Sequence, residues 1–239
     1  MIRLRAPVAA IVWATALGFV PAASAAPHAD FALSDASTYT WRWATVERPT
    51  VAHAAPDRAA RSVARVRTRT PERTPEAVPL LERREVDGRL WVRVRLPVLP
   101  NGTTGWVPRA RLGGYRTVHT QLIVDRRRLT ARLERRGRTV FRARIGIGQS
   151  RWPTPRGEFI VRNRVSGYDD PVYGALAFGT TARSAVLTDW PGGGFIGIHG
   201  TDRPDILPGR VSHGCIRMRD TDILRLDRRM PLGTPVSVR

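Results

Sequence analysis

Lysine is absent from this chain of 239 residues, and cysteine occurs once, as Cys215. All 40 basic residues are therefore arginines, set against 20 acidic ones for a formal charge of +20. A single cysteine forms no internal disulfide, so its thiol is left free for chemistry. Paired cysteines and short His-x-x-x-His spacings are missing, which removes the usual zinc frameworks. Gly146 and Gly148 lack the third glycine, the Lys-Ser pair and the following helix of a phosphate loop. Neither a metal nor a nucleotide cofactor is expected. Beyond the N-terminal region no apolar run approaches the ~20 residues of a membrane-spanning helix. What is present is a 42% hydrophobic content, enough for ordinary cores.

Residues 1–25 read as an export signal. Arg3 and Arg5 form a positive start, Ala6 to Val20 is largely apolar, and Ala23-Ser24-Ala25 is a small-residue cleavage site. The alternative is an uncleaved anchor. No cysteine lies near that site, so no lipid anchor is expected. The protein is expected to be exported, to the periplasm or cell wall. A charge of +20 draws polyanions by long-range attraction. The arginines are scattered along apparent strands without a recognition helix, so nucleic acid is not an expected partner. Anionic wall polymers fit an exported protein better.

Residues 26–40 carry small and polar side chains and read as a linker. Residues 41–115 read as a small β domain: Leu90, Val92, Val94 and Leu96 alternate with Trp91, Arg93 and Arg95, and Gly105-Trp106-Val107 starts another short strand. Trp91 and Trp106 are expected in its core. The three prolines between Pro71 and Pro79 are expected to break regular structure. Residues 118–239 form a second unit. Two alternating runs meet at Arg136-Gly137, which predicts an antiparallel hairpin. Gly167 to Thr181, with Tyr168, Tyr173 and Phe178, lacks periodicity and reads as a loop. Trp190 to Gly194 is read as a flexible approach to a strand, Phe195 to Ile198, that places His199 at its end. Asp220 is positioned to cap a short helix holding Ile223, Leu224 and Leu226. One short helix among many strands predicts a mainly β, sandwich or barrel-like architecture.

The chemistry-bearing stretch is Ile198 to Met218, which holds Cys215, His199 and His213. A nucleophilic thiol needs a base, a group to orient that base, and backbone N–H groups to receive negative charge on a carbonyl oxygen. Gly214 permits close backbone approach, so its N–H and that of Cys215 are candidate oxyanion donors. In an extended segment His213 shares a face with Cys215, while His199 must be returned by a turn-rich loop; either is a candidate base. Two other readings use the same residues: a small buried hydrophobe at Cys215, and a zinc site of His199, His213 and Cys215.

His199-Gly200-Thr201 followed by Ser212-His213-Gly214-Cys215-Ile216-Arg217-Met218 resembles the signature of the L,D-transpeptidase (YkuD) catalytic domain. The likeness runs from about Thr120 to the end and includes Thr154-Pro155-x-Gly157-x-Phe159. It implies Cys215 as nucleophile, His199 as base, and the Gly200 carbonyl as the group orienting it. It further implies oxyanion donors on Gly214 and Cys215, and support from Ser212 and His213. Arg217 and Tyr173 are expected to touch substrate, although many relatives have asparagine where Arg217 stands. By the same likeness Gly167 to Thr181 is a lid or substrate wall.

Residues 41–115 are similar to bacterial SH3-like domains, which implies a small barrel for wall binding or substrate positioning ahead of a β-sandwich catalytic domain. The implied activity is transfer of a peptidoglycan tetrapeptide stem through a cysteine thioester to an amine, in cell-wall biogenesis and cell shape, with carbapenem-type β-lactams as inhibitors. The alternatives are an L,D-carboxypeptidase, in which water takes the thioester, and a non-catalytic wall-binding protein.

Overall fold

The computed structural model describes residues 31–166, 170–188 and 193–239. The signal assigned to residues 1–25, the first part of the linker, Tyr168 and Trp190 lie outside the described residues. Among those described, the architecture is mainly β with one short α-helix, as expected.

The N-terminal sheet contains β1 (Phe31–Ala32), β2 (Trp41–Thr45), β3 (Thr50–His53), β4 (Ser62–Val66), β5 (Ala77–Val86), β6 (Arg89–Arg95), β7 (Thr104–Pro108) and β8 (Arg116–Val118). They lie in the order β4-β3-β7-β6-β5-β2-β8, with β1 added on β5, and every pairing is antiparallel. Val78, Leu80, Val92, Val94, Leu96 and Val107 point into one core, the period-2 pattern of strands buried on one face. The alternation fails at its start. Leu90 is exposed, while Trp91 is buried on the opposite face, edge-on to His53 with ring centroids 6.1 Å apart. Trp106 is also buried, with the Arg84 guanidinium 5.0 Å from its ring.

Two further readings are changed. Residues 31–40, within the stretch read as linker, are paired: Phe31 and Ala32 join β5, Asp35 bridges Thr40, and Leu33 is buried. Pro79 lies inside β5 opposite Trp43, next to a register shift between Leu80 and Glu82. An irregular stretch of strand is where a residue without an N–H is tolerated.

The second sheet contains β9 (Thr120–Asp125), β10 (Thr130–Arg135), β11 (Arg138–Arg144), β12 (Gly146–Gly148), β13 (Gly157–Val165), β14 (Ala177–Arg183), β15 (Phe195–His199), β16 (Gly209–Ser212), β17 (Ile216–Arg217) and β18 (Pro235–Val238). Its order is β11-β10-β9-β18-β13-β14-β15-β17-β12-β16, a curled mixed sheet with parallel pairs β9–β18, β15–β17 and β12–β16. Its two wings close over one core, from Leu122 and Leu133 on one side to Ile198 and Ile216 on the other. The predicted hairpin forms between β10 and β11, with both Arg136 and Gly137 at positive φ as a tight two-residue turn requires.

The predicted loop over Gly167 to Thr181 is shorter than expected. From Ala177 the chain is β14, paired on both sides, and Phe178 is in the core rather than in a lid. Ahead of it Pro171–Tyr173 forms a short 3-10 turn. The helix α1 (Asp220–Asp227) buries Ile223 and Leu226, but Asp220 does not cap it. Arg219 occupies the cap position, and the Asp220 carboxylate accepts instead from the Thr201 N–H at 3.1 Å.

The two sheets meet across a packed seam. Trp43 and Ala77 pack with Val118 and Ile160. Arg162 on β13 is fully buried and faces Glu72 and Glu76 of the N-terminal sheet's loop and strand region, each at 3.4 Å. Asn101 and Arg183 exchange two hydrogen bonds across the same seam, at 2.7 and 3.0 Å.

Candidate active site

The parallel register of β15 with β17, Ile198 beside Ile216 and His199 beside Arg217, delivers both halves of the motif to one end of the sheet. Cys215 immediately precedes β17, and the Gly197 N–H donates to its Sγ at 3.3 Å. A Cβ added at Gly197 would sit 3.8 Å from Cys215 Sγ and 3.8 Å from His199 Cδ2. The thiol and the imidazole thus flank the one position on β15 that carries no side chain.

His199 is almost fully buried, and its Nδ1 lies 2.6 Å from the Gly200 carbonyl oxygen. A carbonyl only accepts, so Nδ1 carries the proton and Nε2 presents a lone pair. The turn bearing that carbonyl is itself held: Gly200 N–H donates to Leu176 O at 3.0 Å, and Thr201 N–H to Asp220. A side chain at Gly200 or Gly174 would collide with the Asp220 carboxylate, so both glycines permit close approach.

Burial lowers the His199 pKa to about 4, opposed by its bond to Gly200 and assisted by the Arg217 charge. Burial pushes the Cys215 thiol up, although the Gly197 N–H and Arg217 favour the thiolate. Cys215 as a residue is half-buried. At neutral pH the resting pair is a neutral thiol beside a neutral imidazole. Moving the proton from sulfur to Nε2 creates opposite charges side by side in a low-dielectric pocket, where each stabilises the other.

The segment between Ser212 and Cys215 is bent, not extended, and Gly214 has a φ of 120°. The shared-face argument for His213 therefore does not hold, though a bend still brings its ring to the same cavity. That ring packs on Trp152, centroids 4.0 Å apart, and Arg151 covers the other aromatic at 3.6 Å. Ser212 Oγ donates to Cys215 O at 2.6 Å and accepts from the Gly214 N–H at 3.1 Å. Among the described residues the Cys215 N–H has no acceptor, so of the two candidate oxyanion donors it is the one left open. Thr154, part of the Thr-Pro segment, fastens this loop by donating to Gly214 O at 2.7 Å and accepting from Gly148 N at 2.9 Å.

A cavity of about 250 Å³ opens on the thiol, lined by His199, Ser212, His213, Arg217, Tyr173 and Phe195 among others. Tyr173 stands edge-on to His199 with centroids 5.1 Å apart. Among the described residues the buried Arg217 Nε has no hydrogen-bond partner, and no three side chains of ligand type converge for a metal. Gly200 and Gly214, also predicted as site residues, do not line this cavity. Sequence reasoning missed the site roles of Gly197 and Asp220. A glycine in a strand was a signal for close backbone approach; nothing in the 19-residue separation of Thr201 and Asp220 pointed to their bond.

Residues 119–238 match the family described as the L,D-transpeptidase catalytic domain, YkuD. A Bacillus licheniformis protein, YkuD, itself named an L,D-transpeptidase only by inference, is 34% identical over 122 residues, which is 51% of this chain and 67% of that one. The YkuD protein of Bacillus subtilis strain 168, named in the same way, is 33% identical over 94 residues, 39% of this chain and half of its own length. Among solved structures, the catalytic domain of the E. faecium L,D-transpeptidase is 27% identical over 50% of this chain and 96% of that one, with a TM-score of 0.37.

Proposed function

Since the chain belongs to the L,D-transpeptidase catalytic domain family through residues 119–238, we propose that it is an exported peptidoglycan L,D-transpeptidase with Cys215 as nucleophile and His199 as base. The observation that carries this reading is the Nδ1 contact of 2.6 Å to the Gly200 carbonyl, which leaves Nε2 as the ring's lone-pair nitrogen, with the ring's Cδ2 edge and Cys215 Sγ both flanking Gly197.

In the proposed reaction His199 Nε2 takes the Cys215 proton as sulfur attacks the carbonyl between an L-centre and a D-centre of a tetrapeptide stem. The carbonyl oxygen gains the negative charge and meets the Cys215 N–H; the Gly214 N–H joins it only by leaving Ser212 Oγ. Collapse breaks the C–N bond, and the terminal D-amino acid leaves with the proton from His199. An amine of a second stem then attacks the thioester, its proton passes to His199, and Cys215 is regenerated as a cross-link forms. Water in place of the amine gives the carboxypeptidase outcome. Arg217 lines the cavity with a permanent positive charge and is suited to a substrate carboxylate. Tyr173 supports the imidazole edge and walls the cavity. The N-terminal sheet is proposed as an SH3-like wall-binding or positioning module. Carbapenem-type β-lactams, with a strained carbonyl, are proposed to acylate the same sulfur.

Mass spectrometry of the protein incubated with disaccharide-tetrapeptide fragments tests the reading. Stem dimers that vanish with Cys215→Ala support transpeptidation, and tripeptides alone indicate hydrolysis. No cysteine-dependent change overturns both and leaves a binding protein.

A further inference from the structure

A second cavity, of about 590 Å³, lies along the seam between the two sheets. Arg65 and Arg67, on and just after the edge strand β4, line it together with Arg69 and Arg183. Val66 and Leu96, both buried, and Pro97 and Val98 give it an apolar floor. Its one acidic lining residue, Glu76, already faces Arg162 at 3.4 Å. Arg69 donates to the Arg73 carbonyl at 2.7 Å, and Arg183 donates to the Gly193 carbonyl at 2.7 and 3.1 Å. Among the described residues Arg65 and Arg67 have no ion pair. Two exposed guanidinium groups thus stand over an apolar floor with the nearby carboxylate already engaged.

This cleft adjoins the catalytic cavity. Phe195 lines both, and the consecutive glycines Gly193 and Gly194 line one each. A peptide lying over Cys215 and continuing past Phe195 enters the cleft.

We propose that the cleft is a subsite for a free carboxylate on an aliphatic stem, carried by a peptide that occupies the catalytic cavity, with Arg65 and Arg67 as its anion-binding groups. The chemistry fits both parts of the ligand: a guanidinium recognises a carboxylate in bidentate fashion, Arg65 and Arg67 both line the cleft, and the apolar floor takes the methylenes behind it. A phosphate polymer has less use for such a floor. The inference rests on the proposed peptide-stem substrate, and the test keeps the two separable.

The test compares a tetrapeptide stem with free side-chain carboxylates against the same stem amidated. The wild-type full chain is expected to prefer the free acid by about tenfold in KM, the scale of one charge-assisted contact. Arg65→Gln/Arg67→Gln is expected to bring that ratio close to one, and Arg65→Lys/Arg67→Lys to restore most of it, with circular dichroism confirming the fold of each. Binding is read in parallel by calorimetry on Cys215→Ala protein. Arginine-dependent preference for the free acid in binding, even without turnover, supports the subsite while removing the enzymatic reading. Turnover with equal KM for both stems, or a preference that survives the glutamine variant, overturns the subsite and leaves the enzymatic reading standing. Loss of inorganic polyphosphate binding in the glutamine variant with the stem preference intact also overturns it, in favour of a phosphate polymer.

Discussion

At the scale of single residues, His199 sets the acid behaviour of the fold as well as the proposed chemistry. Its folded pKa of about 4 lies below the 6.5 of an ordinary imidazole. Between those values the unfolded chain takes up a proton that the folded one refuses, so stability is present above pH 6.5 and is lost as pH falls toward 4. The shift corresponds to roughly 3 kcal/mol. Denaturant titrations across that window are expected to show the loss in wild type and to show it much reduced in His199→Gln; parallel slopes would place the titrating group elsewhere. The thiol gives a second, independent reading. Because burial raises its pKa and the imidazole rests neutral, iodoacetamide alkylation of Cys215 is expected to keep rising with pH into the alkaline range. A plateau between about pH 5 and 7 would instead reveal a resting thiolate–imidazolium pair.

At the scale of elements, the site depends on a turn fastened by a helix that shares no local sequence with it. Asp220, the first residue of α1, accepts from Thr201 N–H and so holds the Gly200 carbonyl against His199 Nδ1. Asp220→Ala strands that N–H and is expected to cost about 1–3 kcal/mol and to lower kcat about tenfold or more with little change in KM, because the imidazole loses its fixed tautomer. Asp220→Asn keeps an acceptor oxygen and is expected to recover most of the rate. A KM effect equal to the kcat effect would mean that the turn contacts substrate instead.

The same bond marks the limit of sequence reading. The motif made Cys215 and His199 visible because its two blocks carry distinctive residues at fixed spacing, and the hairpin at Arg136-Gly137 was legible because positive φ selects its residues. Asp220 was read as a helix cap since acidic residues at helix starts usually serve there; its true partner lies 19 positions away. Phe178 was placed in a loop because β14 is largely buried on both faces and so lacks the alternation that marks a half-exposed strand. Trp91 broke the alternation of β6 for a similar reason, being buried on the face opposite the valines.

At the scale of the whole molecule, a buried charge on the seam between the sheets packs against the wall of the catalytic cavity. The Arg162 side chain has no exposed surface, faces Glu76 and Glu72 at 3.4 Å, and lays its guanidinium 3.6 Å from the centre of the Phe195 ring. Phe195 begins β15, the strand that ends in His199, and lines the cavity over Cys215. Burial raises the Glu76 pKa, and the Arg162 charge opposes that rise. Glu76→Ala leaves the guanidinium facing the more exposed Glu72 and is expected to lower stability by about 3 kcal/mol or more, the usual result of removing one side of a buried pair. The guanidinium packs on the Phe195 ring, so acylation of Cys215 by a β-lactam is expected to slow as well. Replacing both partners, Glu76→Leu with Arg162→Met, removes the buried charges while keeping an unbranched side chain under Phe195, and apolar replacement of such a pair is often neutral or stabilising. If the double variant regains both stability and acylation rate, the seam positions β15 by packing. Regained stability with a slow thiol would assign the coupling to the Arg162 cation–π contact, which the double variant lacks while the Arg183 guanidinium, 5.0 Å from the same ring, remains.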